Sequence, residues 1–211
     1  MEGEIQMKHT AMTILYKVHD NLYVNLTNRC PCSCTFCLRQ TRESMEGSDP
    51  LWLSHTPSFE EVEAEFEKFD LSNYKEVVFC GFGEPTEALD VLLETAKYVK
   101  ERYGKKTRIN TNGLGNLVNG RDIAPLFEGL IDTLSISLNT PDAKKYYELV
   151  RPKFGEKSFD AMLEFAKESK KYVPNVVMTT VDTTLTKEEE QQCREICEKL
   201  GVTYRIRPWE D

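Results

Sequence analysis

The chain has 211 residues, 40% of them hydrophobic, enough for one substantial core and for a single domain as the default. Acidic residues outnumber basic ones 35 to 27, a formal net charge of −8 that argues against a nucleic-acid-coating surface. No run of about eighteen apolar residues occurs, which excludes a membrane-spanning helix. Seven cysteines with no secretory signal ahead of them are too sparse for a disulfide framework and point to the cytoplasm.

Residues 1–11 are polar and without period, so a disordered N-terminal extension is expected, followed by one domain over 12–211. Residues 13–18 and 22–27 are β-rich runs broken by a hairpin-like turn at His19, Asp20 and Asn21. The polar connection 41–56, with an exposed-looking Leu51-Trp52-Leu53, is long enough for a lid or a partner contact, but a packed loop is the expectation. Ser58-Phe59-Glu60-Glu61 is a capping box that opens a helix carrying Phe59, Val62, Phe66 and Phe69 on one face. Residues 75–80 read as a buried strand running into the turn 81–86. Leu89, Leu92, Leu93, Ala96 and Val99 mark the next helix, which Gly104 stops.

The pattern then repeats. Residues 107–113 form a strand ending in a Thr-Asn-Gly turn, Ile123, Leu126 and Phe127 mark a short helical segment, and 131–139 alternate strictly. Two helices, 143–149 and 159–170, precede a strand at 176–181. Thr186 to Glu189 is a second capping box, Gly201 closes its helix, and 202–207 form the last strand. Strands and helices thus alternate about six times, the pattern of right-handed βαβ units around a parallel sheet. Six strands are fewer than the eight of a closed barrel, so the predicted fold is α/β, an open partial (β/α)6 TIM-like barrel preceded by an N-terminal β-hairpin strand. Each motif follows a strand and so gathers at one rim.

The densest chemistry lies after the second β run, where Cys30, Cys32, Cys34 and Cys37 fall within eight residues. Zinc usually takes two ligand pairs from separate knuckles, and no second pair follows at a suitable distance, so three thiolates on one loop favour an iron–sulfur cluster. Cys30, Cys34 and Cys37 stand as C-x3-C-x2-C with Phe36 before the last cysteine. This resembles the radical S-adenosylmethionine (SAM) signature. Within that superfamily, residues 21–30 and the run Cys80-Gly81-Phe82-Gly83-Glu84-Pro85-Thr86 resemble the TatD-associated radical SAM proteins.

The resemblance implies the same partial-barrel architecture and one [4Fe–4S] cluster held by Cys30, Cys34 and Cys37. The fourth iron would bind the amino and carboxylate groups of SAM, and one electron from the cluster would release a 5′-deoxyadenosyl radical. Cys32 is then a surplus thiol, since only the 30/34/37 choice has the family spacing. Gly81-Phe82-Gly83-Glu84-Pro85 resembles the family's Gly-Gly-Glu-Pro element, whose backbone and acid bind the SAM ammonium, with Phe82 in place of a glycine. Physically, two glycines let the chain pass close to a ligand and Glu84 offers an acceptor to a cation.

With Leu134, Ile136 and Leu138 facing the helices, Ser135, Ser137 and Asn139 face the interior. Ser137 and Asn139 then resemble the ribose-binding element, Arg151 the arginine that reaches the SAM carboxylate, and Phe36 and Asn112 join the cofactor-binding set. Cys193 and Cys197 share a helical stripe with Ile196 and Leu200 and are expected in the core, which leaves no second cluster. Cys80 is open between core and lumen, and His9, His19 and His55 form no ligand set.

On the last strand Arg205 and Arg207 alternate with apolar residues, and two readings stand: internal pairing with Asp182, Glu210 or Asp211, or capture of a substrate carboxylate or phosphate. The expected function is a radical SAM enzyme that abstracts hydrogen from an unidentified small-molecule or protein substrate, anionic on the second reading of the arginines, with flavodoxin or ferredoxin as electron donor and no membrane or clear nucleic-acid partner. The alternatives are an activase installing a glycyl radical on a partner protein and a non-catalytic iron–sulfur or zinc module.

Overall fold

The computed structural model describes residues 11–209. Strands β1 (Leu15–Val18) and β2 (Asn21–Val24) pair antiparallel across the expected turn, where His19 takes a left-handed φ of 51°. From β2 the sheet is parallel through β3 (Glu76–Phe79), β4 (Lys106–Thr111), β5 (Thr133–Ser137), β6 (Asn175–Val181) and β7 (Thr203–Arg207), in sequence order. Each connection from β2 onward therefore returns to the adjacent edge, as crossover units require. Among the described residues β7 does not pair with β1, so the barrel is open, as predicted.

The crossovers carry α1 (Phe59–Phe66), α2 (Leu89–Tyr103), α3 (Gly115–Asn119), α4 (Ala143–Val150), α5 (Ser158–Ser169) and α6 (Lys187–Leu200). Both capping boxes form: Ser58 accepts from the Glu61 amide and Thr186 from the Glu189 amide, with each glutamate returning to the cap amide. Gly104 and Gly201 end α2 and α6 in the left-handed conformation. The core lies between sheet and helices: Val24, Phe79, Ile109, Leu134 and Met178 are buried against Phe66, Leu92, Ala96 and Phe165. Each large apolar side chain so buried contributes roughly 1.5–3 kcal/mol. Cys193 and Cys197 belong to this core, as expected.

Opposite residues on each strand face the lumen. On β5, Leu134 and Ile136 pack beneath the helices while Ser135 and Ser137 lie on the other face. A second apolar cluster of Tyr16, Val18, Leu51 and Phe82 packs apart from the main core. The 41–56 connection is a packed loop: Leu51 and Leu53 are buried, and Trp52 meets Phe82 edge-on at 5.1 Å.

One local reading is corrected. The segment predicted helical around Ile123 to Phe127 is a 3-10 turn (Ala124–Phe127) with Leu126 exposed, and α3 precedes it unannounced. Five residues are too few for a helical period, and the segment is held by side-chain bonds such as Asn116 Oδ1 accepting from the Ile123 amide at 2.9 Å. The extension over 1–11 lies, apart from Ala11, outside the described residues; the Ala11 amide donates to Trp52 O. No helix among the described residues is long and apolar enough to cross a membrane.

Candidate functional site

The cysteine loop leaves the C-terminal side of β2 and is strapped from both flanks. On one side Asn28 pairs its amide with the backbone of Leu53, donating to O at 2.7 Å and accepting from N at 3.0 Å. On the other, the Ser33 amide donates to Val150 O, the Thr35 amide to Leu149 O and the Lys153 amide to Pro31 O, with Cys32 and Pro152 forming a β-bridge. Beneath the loop Arg39 donates to Asn28 O and Cys32 O, and Gln40 donates to Cys34 O at 2.7 Å.

Cys30, Cys34 and Cys37 are half-buried, whereas Cys32 is 3% exposed and packed in the core. The Cys32 thiol hydrogen-bonds Cys30 and Cys34 and holds both below the usual thiol range, while its own pKa is pushed up. Burial raises Cys37. Phe36 stands 48% exposed beside them.

The turn after β3 packs directly on this loop. A Cβ at Gly83 would lie 2.2 Å from Thr27 O and 2.6 Å from Arg29 O, and one at Gly81 would lie 2.0 Å from Asn25 Oδ1. Gly83 therefore lets backbone approach backbone and Gly81 makes room for the Asn25 side chain; this packing role is additional to the ligand approach expected from the motif. Phe82 turns its ring into the second apolar cluster, leaving its backbone at the rim.

Glu84 is 4% exposed, and four donors surround its carboxylate. Oε1 accepts from Thr86 N at 3.3 Å, Thr86 Oγ1 at 2.9 Å and Thr111 Oγ1 at 2.7 Å; Oε2 accepts from Asn112 N at 2.8 Å. Burial still pushes its pKa up against these bonds. Asn112 also points Nδ2 at Cys30 Sγ, 3.9 Å away, so Glu84, Asn112 and Cys30 form one contiguous chain across three strand ends. Pro85 opens the 3-10 turn leading into α2.

The remaining predicted residues follow β5 and β7. Asn139 has φ 65° and donates Nδ2 to Ser137 O at 3.4 Å, a tight turn at the strand end. Arg151 caps α4 with φ 47°; its side chain is exposed in an open groove of about 450 Å³ with Tyr147, Glu148 and Pro152. Tyr204 faces α6 beneath Arg194, so Arg205 and Arg207 turn to the lumen as the alternation predicts.

Asp182 does not pair with them: its carboxylate takes the Thr183 amide at 2.9 Å. Glu210 and Asp211 lie outside the described residues. Cys80 is half-buried on the lumen side near Asn110, with burial raising its thiol. Sequence reasoning missed Arg39, Thr86, Thr111 and Arg108. Only Arg108 carried a readable signal, the same period-two alternation applied to β4.

A family model described as the radical SAM superfamily matches residues 24–200, which includes the cysteine loop, the Glu84 turn and every strand from β3 to β6. The chain belongs to the radical SAM superfamily. Curated radical SAM relatives include a GTP 3′,8-cyclase from Corynebacterium glutamicum (strain R), 30% identical over 146 residues, and one from Lactiplantibacillus plantarum, 29% identical over 136. Each match covers 64% of this chain but only 35% and 38% of the relative, so the chain spans about a third of their length.

Among solved structures, Streptococcus suis SuiB bound to precursor peptide SuiA superposes with TM-score 0.66 at 19% identity over 90% of this chain and 39% of that one. Native anSMEcpe with bound AdoMet gives 0.61 at 16% identity, over 90% and 51%. These likenesses show the radical SAM partial-barrel fold.

The chain is accordingly a radical SAM enzyme with a [4Fe–4S] cluster and SAM as cofactors. Its rim fits them chemically. Three half-exposed thiols share one loop, two of them are biased toward thiolate, and a guanidinium sits beneath. Among the described residues no three His, Cys, Asp or Glu side chains converge as a single ion would need; a cluster places its ligands on separate irons.

Proposed function

We propose that this radical SAM enzyme cleaves SAM reductively and abstracts hydrogen from an anionic small molecule held in the barrel lumen, as a TatD-associated radical SAM protein organised as one domain over 12–211. The observation that carries the reading is the continuous chain from Cys30 through Asn112 to Glu84, which joins the cysteine loop to the acidic turn at the mouth of the lumen. Cys30, Cys34 and Cys37 hold the cluster. Oε2 of Glu84 accepts one bond and retains a lone pair for the SAM ammonium, with the 81–85 backbone alongside. Asn112, Ser137 and Asn139 serve the remaining SAM polar groups, Phe36 its adenine and Arg151 its carboxylate.

When bound, the cluster supplies the electron that cleaves SAM to the hydrogen-abstracting 5′-deoxyadenosyl radical. Arg205 and Arg207 receive the substrate's negative charge, a reading that the phosphate-bearing substrate named for the cyclase relatives supports in kind but not in identity. A flavodoxin or ferredoxin in the cytoplasm is the proposed reductant. Activation of a partner protein by glycyl-radical installation is the second reading, favoured by the open side between β1 and β7.

Anaerobic reconstitution tests the proposal, with about four irons and four sulfides per chain and a SAM-dependent change in the reduced cluster's magnetic spectrum as the expected result. Cys30→Ala, Cys34→Ala and Cys37→Ala should each abolish assembly and SAM cleavage, and Cys32→Ala should retain both. Zinc without iron, or iron lost from Cys32→Ala but kept in Cys30→Ala, would overturn the assignment.

A further inference from the structure

Below the rim, three arginines from the central strand and one edge strand of the open sheet face the same space. Arg108 projects inward from β4, where Thr107, Ile109 and Thr111 are buried on the helix side, and Arg205 and Arg207 project from β7. Arg108 pairs with Glu76 at 2.8 Å, the two side chains being 13% and 23% exposed. Among the described residues Glu76 is the one carboxylate ion-paired with any of the three. The Nε atoms of both Arg108 and Arg207 are shut off from solvent without an acceptor, and Oδ1 of Asn110, on the same face of β4, is buried without a donor.

A buried guanidinium N–H without an acceptor is costly, as at Arg108 and Arg207, and three cations against one anion repel one another. The repulsion registers on Arg205, whose pKa is lowered by burial and then by the charges of Arg108 and Arg207. In a chain of net −8 this concentration of positive charge runs against the overall balance. What the described residues lack beside these arginines is a second anion.

We propose that Arg108, Arg205 and Arg207 form a phosphoryl-binding site on the lumen floor, so that the substrate is a phosphorylated small molecule; this rests on the reading of the lumen as the substrate chamber. Glu76 balances one of the three guanidinium charges, and a phosphate monoester, near −2 at neutral pH, balances the other two. Its three terminal oxygens can each meet a donor fork from a different arginine, whereas a carboxylate offers two oxygens and one charge. Arg205, the exposed member, lies on the open flank by which a ligand enters, and Arg207 lies nearer the rim, beside Cys80.

The test is calorimetric titration of the anaerobically reconstituted enzyme with inorganic phosphate, pyrophosphate and acetate. Saturable binding of phosphate and pyrophosphate, at least tenfold tighter than acetate, is expected. Arg207→Gln should weaken it at least tenfold with iron content and melting temperature retained, and Arg207→Lys should fall between. Because Arg108→Gln also frees Glu76, the double variant Arg108→Gln/Glu76→Gln is the second probe, with the same loss expected.

Equal phosphate binding in wild type and variants, or acetate binding as tightly as phosphate, overturns the phosphoryl site while leaving SAM cleavage and the radical SAM reading intact. Phosphate binding lost only together with iron or melting temperature in both variants also overturns it, by making the arginines structural. Failure of SAM cleavage in a wild-type protein that still binds phosphate would strike the proposed function and not this site.

Discussion

Glu84 concentrates the residue-scale argument, because one carboxylate ties the β3 turn to the end of β4 and, through Asn112, to Cys30. Four donors converge on it, and a neutral amide cannot serve them all: the NH2 of a glutamine would confront at least one N–H or O–H. Glu84→Gln should therefore lower stability by about 1–3 kcal/mol, read by chemical denaturation, since a buried donor is left unsatisfied. If its remaining lone pair holds the SAM ammonium, SAM affinity in the reconstituted variant should also fall by on the order of 1.5–3 kcal/mol. Lost stability with unchanged SAM affinity would assign Glu84 to the scaffold alone.

Between elements, the strongest tie lies at the opposite end of the barrel. Asp132, just before β5, binds Lys100 of α2, accepts from Thr107 N of β4 at 2.7 Å and offers its carbonyl to Asn175 N and Nδ2 of β6. Burial opposes its ionisation, but the Lys100 and Thr107 bonds outweigh it and its pKa is lowered. A depressed carboxylate pKa stabilises the fold above the unfolded-state value, about 3.9, and the contribution is lost as pH falls through the folded-state value. Asp132→Asn should thus cost about 1–3 kcal/mol at pH 7, and the difference from wild type should shrink on acidification below about pH 4. A difference that is flat with pH would show that the carboxylate's charge is not what joins these elements.

At the scale of the whole molecule, a seven-stranded sheet that does not close leaves β1 and β7 as edges. The two differ: β1 is almost wholly buried beneath its loop, while β7 alternates exposed and half-buried residues and receives support mainly from α6. Amide hydrogen exchange should accordingly be slowest in β4 and β5 and fastest, among the strands, in β7. A phosphorylated ligand bridging Arg108 and Arg207 should slow β7 selectively, because it would connect that edge to the centre of the sheet. Uniform exchange across all strands would contradict an open, unevenly supported barrel.

Much of this architecture was legible in the amino-acid order, for a local reason. Periods of two and 3.6 record which face of a strand or helix is buried, so the strands, the capping boxes at Ser58 and Thr186, and the inward turn of Ser137 and Arg207 could all be read from neighbours in sequence. The Cys30, Cys34 and Cys37 spacing was equally local, because one loop supplies all three thiols.

What fills each buried face is not local, and only the tertiary structure decided it. Strand curvature brought Arg108 to Arg205 and Arg207 across about a hundred residues of chain, and packing set the Leu149–Lys153 segment against the cysteine loop. It also turned Phe82 away from the rim, set Gly83 against the Thr27 and Arg29 backbone and set Gly81 against the Asn25 side chain. Periodicity specifies that a side chain must be covered; the order and tilt of distant strands select the group that covers it.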